Sequence, residues 1–86
     1  MKKIIKPFVC LKCGGSFVGK VGIFTEIVGD EIRIADNIGF EGGEISCSKC
    51  GELHDYLVPD EGKLTLQLVS VQVGYSGRSK MIFDIN

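Results

Sequence analysis

Period two dominates this chain. Val21, Ile23, Thr25 and Ile27 alternate with Gly22, Phe24, Glu26 and Val28. After Gly29-Asp30, Ile32 and Ile34 alternate with Glu31, Arg33 and Ala35. Successive side chains of a strand face opposite ways, so the pattern predicts two half-buried strands. Gly at the first position of the two-residue turn accepts the positive φ that a II′ turn demands, which makes the pair a β-hairpin. Asn37 to Gly43 holds three glycines and reads as a loop. Leu53 to Val58 reads as a strand, closed by Pro59-Asp60-Glu61-Gly62 as a type I turn.

Leu64, Leu66 and Leu68 then alternate with Thr65 and Gln67, after which the apolar phase slips by one to Val69, Val71, Val73 and Tyr75. A one-residue slip flips every side chain, so a β-bulge near Leu68-Val69 is expected. A strand from Leu64 to Tyr75 would be about 40 Å long, more than a small sheet usually holds, and would have to bend or project. Ser76 to Lys80 is a polar break and possible hinge. Residues 81–86 are then a closing strand or an apolar tail offered to a partner. Nowhere do apolar residues recur at i, i+3, i+4 and i+7 over three turns, so the expected fold is all-β with little or no helix.

Composition narrows the class. With 86 residues the chain has room for one small domain, spanning 1–86. An apolar share of 44% and a charged share of 24% exclude a disordered polyelectrolyte. A domain this small often needs a staple beyond its core. Charge is uneven: residues 1–20 carry +5, residues 21–62 carry −8 and residues 63–86 carry +2, for a net −1. That balance argues against a protein whose main work is coating nucleic acid. The basic start, Met1-Lys2-Lys3-Ile4-Ile5, is broken at Lys6-Pro7 before any signal-peptide core can form, and no apolar run is long enough to span a bilayer. A cytoplasmic location without membrane partners is expected, where paired Cys-x-x-Cys favours metal over disulfides.

The candidate chemistry lies in Cys10-Leu11-Lys12-Cys13-Gly14 and Cys47-Ser48-Lys49-Cys50-Gly51. Two residues between cysteines allow a tight turn that brings both sulfurs to one ion, and the following glycine can take a left-handed conformation. Two such turns supply four thiolates, a complete shell for one structural zinc ion. The 33 residues between Cys13 and Cys47 are only the length of the intervening hairpin and loop. Lys12 and Lys49 hold matching positions, where an ammonium offsets the formal −2 of zinc with four thiolates. Cys10, Cys13, Cys47 and Cys50 are therefore the expected metal ligands.

Over residues 8–16 and 45–52 the chain resembles the zinc-ribbon superfamily, in which two Cys-x-x-Cys-Gly knuckles on β-hairpins share one zinc. The resemblance implies the same four ligands. Its members serve in transcription machinery, ribosomes, nucleic-acid enzymes and protein-interaction modules, so it selects no single function. The acidic balance and the long C-terminal strand depart from a minimal ribbon. The knuckles also resemble those of rubredoxin, an iron electron carrier. The second knuckle lacks the proline of that family, however, and the chain has no Trp.

Other residues offer less. His54 reads as a solvent-facing strand residue, since four sulfurs already close the shell, and His54 and Asp55 point to opposite faces. No catalytic constellation appears, and the chain is not expected to be an enzyme. Lys2, Lys3, Lys6, Lys12 and Lys20 with Phe8 and Phe17 could form a nucleic-acid surface, but the two rings are expected to pack beside the metal site. The expected role is a structural zinc module for a protein partner or self-assembly.

Overall fold

A computed structural model describes residues 3–18, 22–36, 39–58, 62–70 and 79–85 of the chain. The fold is all-β. Among the described residues seven strands form two antiparallel sheets: β1 (Lys3–Ile5), β2 (Thr25–Val28) and β3 (Glu31–Ile34) in the order β1-β3-β2, and β4 (Glu41–Ser46), β5 (Leu53–Val58), β6 (Lys63–Leu68) and β7 (Lys80–Asp84) in sequence order. No helix occurs among the described residues.

The β2–β3 hairpin closes on Gly29-Asp30 as expected, with Val28 opposite Glu31. Gly29 has φ +59° while Asp30 is not left-handed, as a II′ turn requires. The strand itself is shorter than its alternation, because it begins at Thr25 and leaves Ile23 almost fully exposed.

Period two sorts the second sheet. His54, Tyr56 and Val58 of β5 and Leu64, Leu66 and Leu68 of β6 face inward, while Asp55, Leu57, Lys63 and Gln67 face out. Inward residues of both sheets join Phe8 and Phe17 in one core, to which Ile27, Ile32, Ile34, Ile45 and Ile85 contribute. Cys10 and Cys47 belong to the same cluster, so the core runs directly into the sulfur site.

Two expectations are corrected. The glycine-rich stretch before Glu44 is not a loop throughout, because Gly42 and Gly43 lie within β4, paired with Leu57 and Tyr56. A Cβ on Gly43 would stand 3.1 Å from the Tyr56 ring, so the ring covers the strand where glycine leaves it bare. The continuous Leu64–Tyr75 strand is also not observed. β6 stops at Leu68, and although the Val69 N–H donates to Leu53 O, its side chain is exposed. The phase slip thus marks a strand end, and residues 71–78 lie outside the described residues. So do residues 59–61 of the expected proline turn, whose Gly62 has φ +78°.

The C-terminal segment is a closing strand. β7 pairs with β6 from Lys63 opposite Asp84 to Gln67 opposite Lys80. Phe83 packs against the core and Ile85 is buried, while Ile82 projects outward.

The two sheets are tied at the start of β4. The Glu41 carboxylate accepts the Phe24 N–H at 2.8 Å, the Thr25 hydroxyl, and the Tyr56 hydroxyl at 3.3 Å. At the other end of β4 the chain enters the second cysteine turn.

Candidate metal centre

Each cysteine pair sits on a tight turn, and the two turns are near copies. The Lys12 and Cys13 N–H groups point at Cys10 Sγ from 3.3 and 3.4 Å, and those of Lys49 and Cys50 point at Cys47 Sγ from 3.3 and 3.4 Å. Gly14 N–H closes on Cys10 O, and Gly51 N–H on Cys47 O, both at 3.0 Å. Both glycines have φ +78°, a conformation side chains rarely adopt, which is why glycine follows each pair. The second sulfur of each pair accepts one more N–H, from Gly15 to Cys13 and from Glu52 to Cys50.

The turns face each other. All four sulfurs lie within 4.8 Å of one another, with Cys10 to Cys50 at 3.6 Å and Cys13 to Cys47 at 3.4 Å. Four ligands at ~2.3 Å around a tetrahedral ion are about 3.8 Å apart, so the donor set fits one soft divalent metal. The cysteines are free thiols rather than disulfides. Cys10 and Cys47 are buried, whereas Cys13 and Cys50 are exposed, which places the site at the edge of the core.

Their surroundings set Cys10, Cys47 and Cys50 apart as acids. At Cys47, burial pushes the thiol up. The N–H groups of Cys50 and Lys49, with the Cys13 and Cys50 thiols, outweigh it and bring the group down to about 6. Cys50 is driven up to about 12, because burial and the neighbouring sulfurs overcome the Glu52 N–H. Burial also raises Cys10. Neighbouring thiolates repel, and a divalent cation is what allows all four to ionise together.

Two contacts brace the turns against each other, again in matching positions. The Ser48 N–H, one residue after Cys47, donates to Ser16 O at 2.9 Å, and its hydroxyl donates to the same oxygen at 2.7 Å. The Leu11 N–H, one residue after Cys10, donates to His54 Nε2 at 3.2 Å, while Nδ1 faces Glu52 O at 3.1 Å. His54 is therefore not solvent-facing, as the sequence suggested, but fully buried behind the sulfurs with Phe17 edge-on at 4.8 Å. Its phase with Tyr56 and Val58 was the available signal. As expected, Asp55 points to the opposite face.

Gly15 was legible only as part of the first knuckle, and it is also a close-packing position. A Cβ there would lie 2.8 Å from Lys49 Cβ and 3.0 Å from Cys47 Sγ. Lys12 is ion-paired with Glu52 at 2.9 Å, across from its own turn to the residue two past Cys50. Phe8 and Phe17 are buried beside the site, their ring centroids 5.3 Å apart. Neither presents a face for stacking bases. Lys2 and Lys20 lie outside the described residues.

The chain matches no protein-family model, no curated protein and no solved structure. The likeness to a zinc ribbon rests on the two turns and their shared sulfur cluster.

Proposed function

We propose that this chain is a structural zinc module whose work is association with protein, not catalysis. The observation carrying the metal assignment is the convergence of two copied cysteine turns on one sulfur cluster inside 4.8 Å. Cys10, Cys13, Cys47 and Cys50 hold the ion, and six main-chain N–H groups spread the negative charge of the shell. A closed shell of four thiolates leaves no position for substrate, which suits a structural rather than a catalytic ion. Zinc is favoured over iron because the rings beside the site pack into the core and no tryptophan is present to wrap an electron-transfer cluster.

Association is supported by what remains exposed. Ile82 on β7, Leu53 and Leu57 on β5, and Val69 leave apolar surface on the outer side of the second sheet. Native mass spectrometry of the reduced full chain tests the reading. One zinc ion per chain is the expected result. A coloured, iron-containing protein with a reversible redox couple would replace the structural role with electron transfer, and folded protein without metal would remove both.

A further inference from the structure

We infer that the partner is a second copy of this chain, joined to it antiparallel along the open edge of β7 and centred on Ile82. The inference rests on the association role proposed above and names its partner. In the β6–β7 ladder, Ile85 N–H donates to Gly62 O, and Leu68 N–H to Ser79 O. Those bonds fix the alternation: residues 79, 81, 83 and 85 bond to β6, and the main-chain groups of Lys80, Ile82 and Asp84 point the other way. Among the described strands, none pairs with that side of β7. Their side chains face outward as well, and Ile82 is 58% exposed.

This edge is complementary to itself. Turned through a two-fold axis at Ile82, the strand sets Ile82 against Ile82, Lys80 against Asp84, and Met81 against Phe83 of the second copy. All three outward-pointing residues then meet outward-pointing residues, each pair exchanging two hydrogen bonds. Opposite charges face each other at both ends. Shifting the register by two residues in either direction leaves one of the three unmatched and moves Lys80 away from Asp84. Asp84 already holds Lys63 at 2.9 Å within its own chain, so pairing would set it between two ammonium groups. Met81 and Phe83, both half-buried, would extend the apolar inner face across the junction. The product is an isologous dimer with a continuous sheet of eight strands and no open β7 edge. A contact this narrow falls at the small end of specific interfaces, so the dimer forms reversibly and depends on concentration.

The test is sedimentation velocity on the metal-loaded full chain over a wide concentration series. Wild type is expected to pass from monomer to dimer. Ile82→Pro removes the outward N–H and no bond to β6, so it should keep the metal and the β-sheet signal yet stay monomeric. Lys80→Glu and Asp84→Lys should each be monomeric alone and form a mixed dimer when combined, a result that loss of folding could not produce. A dimer unaffected by Ile82→Pro and by both charge variants overturns the β7 edge and leaves self-association through another surface. A metal-loaded wild type that remains monomeric throughout overturns self-pairing and leaves a different protein as the partner.

Discussion

His54 receives the Leu11 N–H only as neutral imidazole, with its proton on Nδ1 directed to the Glu52 carbonyl. Burial lowers its pKa below the ordinary histidine value, against the pull of the Glu52 carbonyl and charge. The folded chain therefore binds fewer protons here than the unfolded chain. Stability from this group is present above about pH 6.5 and lost as pH falls through the depressed folded value. Protonation of the thiolates acts in the same direction. The two are separable in His54→Phe, which keeps a ring beside Phe17 but removes the hydrogen bond from Leu11 N–H to Nε2. At neutral pH the variant should lose about 0.5–1.5 kcal/mol, the net worth of one hydrogen bond at a half-buried N–H. Below about pH 6.5 its stability should fall less steeply than that of wild type, by up to one proton, or about 1.4 kcal/mol per pH unit. Urea denaturation of both proteins across this range measures both effects. An unchanged slope would assign the acid sensitivity to sulfur alone.

Glu41 gives β4 a second anchor, because its carboxylate gathers donors from Phe24, just before β2, from Thr25 of β2 and from Tyr56 of the other sheet. Its burial opposes ionisation, but the Thr25 hydroxyl, the Phe24 N–H and the Tyr56 hydroxyl prevail and hold its pKa below the usual range. Glu41→Gln should cost about 1–3 kcal/mol at neutral pH, since hydrogen bonds to a charged acceptor are exchanged for weaker ones. Glu44→Gln, on the outer face of the same strand, should change stability by no more than about 0.5 kcal/mol. Equal effects of the two in denaturant titration at saturating metal would deny Glu41 its clamping role. The strand that carries both residues, like β1, is not legible as a strand in the sequence. β5, β6 and the hairpin are legible because their own alternation writes inside and outside into each residue, and the cysteine turns because their chemistry is local. Gly42 and Gly43 carry no such mark, and the ring that covers Gly43 comes from Tyr56 on the next strand. The position of His54 was within reach, since it shares the inward phase of Tyr56 and Val58. The slip after Leu68 looked like a bulge because sequence records a change of face without saying whether the strand continues.

The sulfur site and the β7 edge are parts of one packed path. From His54, ring contacts run to Phe17 at 4.8 Å, to Phe8 at 5.3 Å and to Phe83 of β7 at 6.0 Å. Phe83 is the neighbour of Ile82 and lies opposite Leu64 of β6. Within the first cysteine turn Cys10 N–H donates to Gly15 O, and just before it Phe8 N–H reaches Asp30 O in the β2–β3 turn. Apparent zinc binding in small modules is worth about 10–16 kcal/mol, comparable with or larger than the roughly 5–15 kcal/mol net stability of a domain. Stripping the ion under reducing conditions should therefore unfold the chain rather than leave an empty site, and Cys47→Ser should behave as a folding mutation. Because Phe8 and Phe83 lose their packing together, metal removal should abolish the dimer at the same chelator concentration at which β-sheet ellipticity is lost, and restoring zinc should recover both. A folded apo-protein would show that the hydrophobic core holds without the sulfur shell. A metal-free chain that still dimerised as a folded species would place the association surface outside the influence of the ion.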